Sequence, residues 1–412
     1  MKIAVLVDLK LSDRSGGHVK YWERICDSIK NYGHKIELTI FFLGEKNRTI
    51  KISQNIEYKL QKPIISSDFL KCLGIDADST DLFPFNPGML FKLSKYDLIH
   101  TTDQFFSMSK TAKIASKFWN IPLTTSIHTD TPPYTKYYVK KIIEKIFSPF
   151  GMDKFFINGL GIPDFYEKKM YKKVYKYINK VDHAMVADKI YSPKILIEKT
   201  KNSNITKLNR GINSKIFFIK RVSQDLIKSK FNIPKEDKII FFSGRIHELK
   251  GAILLSKINK KLNEIGCPVT TLMAGEDIHG HKCIQESPKK LKLLGYLKAN
   301  DIADLYRACD LFVFPSQFEI GPNVVLEAKA CGAICLVSPN GGGKRIYKPN
   351  FDGIIIDEFS VKSWVSEIKS LLKDKRKLKI LKDFISKQNS LTWHEVFIND
   401  ILPYWKKKYK KN

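Results

Sequence analysis

The residues able to do chemistry fall into four short stretches. In Phe314-Pro315-Ser316-Gln317-Phe318-Glu319-Ile320-Gly321-Pro322-Asn323-Val324-Val325-Leu326-Glu327-Ala328, two carboxylates stand eight positions apart. The pattern puts Glu319 in a loop after a strand and Glu327 in the first turn of a helix. Both can accept hydrogen bonds from hydroxyls of one ligand held over strand ends, where open α/β sheets take nucleotides. Glu327 has a structural reading too, because a helix's first turn favours an acid by its dipole alone. In Phe242-Ser243-Gly244-Arg245-Ile246-His247-Glu248-Leu249-Lys250-Gly251, two cations flank a glycine-bounded loop. Arg245 offers a two-pronged fork and Lys250 a point charge, which together can clamp a diphosphate. The same loop also reads as a charged turn in solvent. Ser15-Gly16-Gly17-His18 ends the first strand and opens a helix. Gly17 there lets backbone amides approach a phosphate or sugar, although a tight turn needs glycine as well and the GxGxxG spacing is absent. The fourth stretch is Ser126-Ile127-His128-Thr129-Asp130-Thr131-Pro132-Pro133-Tyr134, continuing to Tyr137-Tyr138. A lone histidine at a strand end is more often a structural residue.

These stretches need strand ends to hold them, and the pattern provides two series. Strands are expected at Ile3–Val7, 35–42, Leu98–Thr101, Leu123–Ile127 and His183–Val186, and again at Lys238–Ser243, Val269–Ala274, Leu311–Phe314, 334–337 and 353–356. Helical periodicity falls between them, at 18–32, 108–119, 252–265, 301–308, 324–330 and 361–372. Alternating strands and helices define an α/β class with parallel sheets. Two five-strand units of similar length suggest two facing Rossmann-like domains. Their join is expected near Lys220–Ile233, a charged, Pro-flanked stretch. The amphipathic, aromatic segment Thr392–Tyr409 is expected to cross back onto the first domain. The domain boundaries are thus 1–222, 223–390 and a C-terminal helix at 391–412.

The chain has 412 residues, 71 Lys+Arg and 42 Asp+Glu, a formal charge of +29. That length suits two or three domains. A hydrophobic fraction of 43% excludes wholesale disorder. No window approaches 18 uncharged apolar residues, and the first strand is too short for a signal peptide. Seven cysteines without a CxxC pair suit reduced thiols and a cytoplasmic setting. Cys331 and Cys335 read as a buried helix-to-strand passage, not a redox pair. The positive charge points to polyanions: nucleic acid, anionic membrane or phosphorylated ligands. From Thr131 to Arg221 there are 20 Lys+Arg against 7 Asp+Glu. Solvation of the surface by a lysine-rich composition is the plainer explanation. Nucleic-acid signatures are missing, and the aromatics form no stacking platform.

The second half resembles the retaining GT-B glycosyltransferases of family 4. The likeness rests on Gly244-Arg245…Lys250-Gly251, on Leu294-Gly295-Tyr296-Leu297 before Leu305-Tyr306-Arg307-Ala308-Cys309-Asp310, on Phe314-Pro315-Ser316, on the Glu319–Glu327 pair and on Gly341-Gly342. Their order and spacing together carry it. The first half is similar to glycolipid-type members such as α-mannosyl and sulfoquinovosyl transferases, through Ser126–Tyr138 and Leu208-Asn209-Arg210-Gly211-Ile212-Asn213…Phe217. The resemblance implies a nucleotide-sugar donor, with Arg245 and Lys250 on the diphosphate, Glu327 on the ribose and Glu319 on the hexose. Gly17, Gly244, Leu297, Gly321, Pro322, Asn323 and Val324 complete the implied donor contacts. His128 is placed beside the transferred sugar, with His18, Asp130, Tyr134 and Tyr137 toward the acceptor. The implied mechanism is front-face and metal-free, with no cofactor beyond the sugar nucleotide.

The chain departs from the family at three points. Ala274-Gly275-Glu276-Asp277 lacks a second glycine, Gly343-Lys344-Arg345 replaces an expected acid, and Ile320-Gly321 inverts a small-then-aromatic order. His279, His281 and Cys283 alternate like metal ligands but offer no fourth. Interleaved aromatics and lysines in 133–182 suggest a peripheral element on the inner membrane face, and hence a lipid or lipid-linked acceptor such as diacylglycerol. Soluble or polysaccharide acceptors, nucleotide-sugar epimerisation and nucleic-acid binding are the alternatives.

Overall fold

The computed structural model describes residues 1–12, 17–30, 35–73, 78–187 and 193–409. It divides into two compact units, one of residues 1–209 with 393–412 and one of residues 210–392. Each is a parallel-sheet α/β unit.

The first unit contains β1 (Lys2–Lys10), β2 (Glu37–Leu43), β3 (Arg48–Lys51), β4 (Ile56–Gln61), β5 (Leu98–Thr101), β6 (Leu123–Ile127), β7 (His183–Val186) and β8 (Ile205–Lys207). Their spatial order is β3-β4-β2-β1-β5-β6-β7-β8, parallel except for β3 against β4. Ile3 to Val7 are all buried, as a strand covered on both faces requires. The helix Gly17–Lys30 buries Val19, Trp22, Ile25, Cys26 and Ile29, a 3.6-residue stripe against that sheet. The chain's last turns belong to this core as well. Trp393, Val396, Phe397, Ile401, Leu402 and Trp405 pack in one apolar cluster with β1, β2 and the first helix.

The second unit contains β9 (Lys238–Ser243), β10 (Val269–Ala274), β11 (Leu291–Leu293), β12 (Leu311–Phe314), β13 (Cys335–Val337) and β14 (Ile354–Ile355). They form one all-parallel sheet in the order β11-β10-β9-β12-β13-β14. The helices Ala252–Glu264, Ala299–Ala308, Asn323–Ala330 and Val361–Lys373 cover it.

Both units exceed the five strands expected. β3, β8 and β11 were illegible because they are short, and β3 is a polar, largely exposed edge strand; β4, of six residues, was missed with its hairpin partner. The unit boundary falls at Asn209/Arg210, thirteen residues before the expected 222/223. Ile212 and Phe217 lie in the second unit's apolar core, and Arg307 donates to the Ile216 and Phe218 carbonyls. That connecting stretch is therefore folded onto the second unit. The interleaved aromatics and lysines of 133–182 fall mainly on two helices of 17 residues, Thr131–Phe147 and Ile162–Ile178. The expected helix end at Tyr32 lies outside the described residues.

Trp405 is fully buried, its indole stacked on Trp22 at 6.3 Å and 9°. Trp405→Ala is expected to cost about 3–5 kcal/mol through the cavity it leaves. Urea unfolding measures this, and a loss below about 1 kcal/mol would mean that the C-terminal segment is not part of the core.

Candidate functional site

In the second unit, the ends of adjacent strands converge on one loop system. Past β9 the ladder continues without side chains: the Gly244 N–H donates to the Ala274 carbonyl, and the Ile246 N–H to the Glu276 carbonyl. The chain then makes a 3-10 turn, Glu248–Lys250, capped by the His247 Nδ1, which accepts from the Leu249 N–H at 3.1 Å. The His279 ring stacks on His247 at 4.6 Å, and its Nδ1 accepts from the Glu248 N–H. His279 and His247 thus hold the Arg245–Lys250 loop, a duty the sequence did not disclose. Gly251 turns the chain at φ 79°, and a Cβ there would run into the Pro315 carbonyl. Only glycine satisfies both demands.

The loop after β12 is joined to this one. The Gln317 N–H and the Ser316 hydroxyl both donate to the Leu249 carbonyl, at 2.9 and 3.2 Å. Lys250 and Glu319 form an ion pair, with each side chain less than a fifth exposed. In this state the ammonium expected on a diphosphate and the carboxylate expected on a hexose therefore hold each other. Ser316 Oγ also lies 3.4 Å from the same Glu319 oxygen. The Glu319 N–H donates to the Asn340 carbonyl, while the Lys344 ammonium donates to the Glu319 carbonyl at 2.8 Å. Arg345, buried, lays its guanidinium where a side chain on Gly321 would stand. The two cations that replace an expected acid therefore shape the Glu319–Gly321 stretch. Nothing in the spacing of Gly343-Lys344-Arg345 announced this.

Pro322 caps the helix Asn323–Ala330, and the Asn323 amide donates to the Gly211 carbonyl at 3.0 Å. Val324 occupies the same first turn. Glu327, however, is the fifth residue of this helix, not a first-turn acid, because the helix begins at Asn323. Dipole stabilisation fades beyond the first turn, which weakens the purely structural explanation of Glu327. Its carboxylate is buried close enough to Tyr306 to help raise that hydroxyl's pKa, after burial itself. Leu297 packs at the edge of the core, beyond β11.

In the first unit, β6 carries Thr124 and Ser126, His128 follows at its end, and β5 sets His100 opposite Thr124. His100 Nδ1 is 2.8 Å from Thr124 Oγ1, and its Nε2 is 2.8 Å from Ser126 Oγ. Ser126 Oγ is in turn 2.7 Å from His128 Nε2. Ser126 has one hydroxyl proton, so when it donates to one ring, the other ring's Nε2 must carry the hydrogen. The two histidine tautomers are thereby coupled. The His18 ring stacks on His128 at 4.7 Å and 18°, and Tyr21 approaches the same ring at 4.5 Å. Asp130 is buried at the start of the helix carrying Tyr134 and Tyr137, which are half-buried. Gly17 opens its helix, and among the described residues no close approach demands glycine there. Ser15 and Gly16 lie outside the described residues.

Among the described residues, no cluster of three His, Cys, Asp or Glu side chains is arranged to hold a metal ion. Burial pushes the Cys331 and Cys335 thiols up to about 12, far from the range of a reactive thiolate.

The chain is similar to known proteins. Residues 223–388 match the family described as glycosyl transferases group 1, and the fold is of the GT-B type. A D-inositol 3-phosphate glycosyltransferase of Thermobispora bispora is 21% identical over 308 residues, covering 71% of this chain and 66% of that one. An Escherichia coli UDP-Gal:alpha-D-GlcNAc-diphosphoundecaprenol alpha-1,3-galactosyltransferase is 37% identical over 87 residues, 21% of this chain and 22% of its own. These alignments each span less than two thirds of the relative. The Anabaena protein HepE, solved with UDP and glucose, superposes with a TM-score of 0.67 at 15% identity, over 99% of this chain and 100% of that one. It shares the fold.

Burial holds the His100 pKa down to about 3, so the folded protein keeps this ring neutral where an unfolded chain would protonate it near 6.5. Stability is therefore full above pH 6.5 and lost as pH falls toward 3, by up to about 1.4 kcal/mol per pH unit. His100→Gln is expected to flatten this acid limb in chemical denaturation between pH 6.5 and 4.5. An unchanged slope would place the acid sensitivity elsewhere.

Proposed function

We propose that the chain is a retaining glycosyltransferase that moves a hexose from a UDP- or GDP-linked donor to a membrane lipid or lipid-linked acceptor. The observation that carries this reading is the joined loop system at the ends of β9 and β12. It pairs Lys250 with Glu319, Arg245 stands on the same loop as Lys250, and Glu327 is buried in the helix that follows Glu319.

In the proposed reaction Arg245 and Lys250 take the diphosphate and Glu327 the ribose diol. Glu319 exchanges its ion pair for the donor's sugar hydroxyls, while Gly244, Leu297, Gly321, Pro322, Asn323 and Val324 line the donor. The bond from the anomeric carbon to the diphosphate oxygen breaks, and a bond to the acceptor oxygen forms on the same face. The departing diphosphate takes the acceptor's proton. Stabilisation of its charge by the two cations is the principal catalytic contribution, and no metal is required. Gly17 also contacts the donor, and His128 serves beside the transferred sugar, with His18, Asp130, Tyr134 and Tyr137 toward the acceptor.

Two observations support a lipid acceptor. Residues 136–180 hold 11 lysines against 4 acids, a net of +7 from 11 − 4. Lysines near an anionic bilayer add about 1 kcal/mol each, enough for peripheral association on the inner face of a membrane. Among the described residues no helix is long and apolar enough to cross one. The Escherichia coli relative is named for a diphosphoundecaprenol-linked acceptor.

Substitution kinetics test the donor side. Arg245→Ala and Lys250→Ala are each expected to lower kcat by about 10²-fold, with a smaller rise in KM. Wild-type turnover in both would overturn the assignment. Glu327→Gln is expected to weaken binding of the bare nucleoside diphosphate. Glu319→Ala should weaken the nucleotide-sugar and spare the bare nucleotide, and calorimetry separates the two.

A further inference from the structure

The helices Thr131–Phe147 and Ile162–Ile178 form a hairpin in the first unit, tied by Lys136, which pairs with Asp164 and lies 3.4 Å from Glu167. Its base is rooted in the core through Val174, Tyr177 and Ile178. Its tip is different. A 3-10 turn, Ser148–Phe150, and a π-helical turn, Phe155–Gly159, connect the two helices. No residue from Glu144 through Ile162 is buried. Even so, the tip is apolar: Phe150 is 75% exposed, Phe165 59%, and Phe155 and Leu160 56% each, with Ile146 and Met152 beside them. The rings of Phe147 and Phe156 meet at 4.4 Å, so the tip has an internal contact of its own. Aromatics that fill a core do not stand out in water this way.

Most of the charges sit behind the tip. Between Ile146 and Tyr166 the charged side chains are Asp153, Lys154 and Asp164, and Asp164 pairs with Lys136. Lys140, Lys141 and Lys145 follow on one helix and Lys168, Lys169, Lys172 and Lys173 on the other. The Lys169 ammonium lies 5.9 Å from the Phe165 ring and 5.6 Å from that of Tyr166. An apolar end behind which a basic collar follows suits a bilayer interface, where rings settle among the headgroups and lysines meet anionic lipid. A protein partner suits it less, because protein interfaces favour arginine and deplete lysine, and residues 136–180 contain no arginine.

We propose that this tip, residues 146–166, inserts into an anionic lipid bilayer, with Phe150, Phe155, Leu160 and Phe165 at the acyl boundary and the lysine collar at the headgroups. The proposal rests on the membrane-acceptor reading and names the element that makes the contact. The first helix of the hairpin starts one residue after Asp130. Contact with lipid and the candidate acceptor residues therefore belong to one continuous element.

The test uses the full chain with phosphatidylcholine vesicles, with and without phosphatidylglycerol. Phe150→Ser/Phe155→Ser should bind anionic vesicles at least ~10-fold more weakly, with the melting temperature unchanged. Phe118→Ser, an equally exposed ring on the helix Ser107–Trp119, should bind like the wild type. Emission of Phe155→Trp should shift to the blue on binding and be quenched by bromine-labelled lipid. Wild-type affinity in the double variant, without that quenching, would overturn tip insertion while leaving a membrane held by lysines alone. Failure of the wild type to bind any vesicle would overturn both readings and leave the tip as a protein-docking surface.

Discussion

The ends of β9 and β12 are neighbours in one sheet, and the second unit's candidate chemistry depends on how their loops are pinned together. The Leu249 carbonyl receives two donors from Ser316 and Gln317, and the Lys250 ammonium meets the Glu319 carboxylate one residue beyond. A pair this deeply set gains from low dielectric yet costs desolvation, so its net stabilisation is small. Its greater effect is geometric, fixing the height of Glu319 over the strand ends. Gly251 and the His247–His279 stack then decide how closely the Arg245 loop approaches.

The first unit solves a similar problem with a buried polar line. His100, Ser126 and His128 exchange hydrogen bonds across β5 and β6, and indoles close the space beside them. One of those indoles, Trp405, comes from the C-terminal segment and lies 5.8 Å from the His100 ring. The segment from Trp393 onward and the packing around His128 are therefore linked: Tyr21 touches both the His128 ring and Trp393, at 4.5 and 5.2 Å.

Much of this was legible in the residues. Continuous apolar runs such as Ile239–Phe242 announced buried parallel strands, and glycines after β9 marked its turn. Glu319 and Lys250 were visible as chemistry-bearing residues, although not as each other's partners, because 69 positions separate them. The relay through Ser126 had a faint signal in the alternation of Thr124, Ser126 and His128, but its partner His100 becomes apparent only with the β5–β6 register. Lys344 and Arg345 looked like a lost acid. Their role depends on where a tertiary loop folds back, which composition and periodicity do not encode. The hairpin's interleaved aromatics and lysines were legible in the residues, while the split between a rooted base and a bare tip required coordinates.

The central claim is that the loops after β9 and β12 hold a nucleoside diphosphate sugar. Calorimetric titration of the full chain, with chelator present, against UDP-, GDP- and ADP-hexoses addresses it most directly. The account predicts saturable binding of a UDP- or GDP-sugar, with stabilisation of about 2.7 kcal/mol at a hundred times its Kd. Heat-silent titrations and an unmoved melting temperature across the whole panel would contradict it.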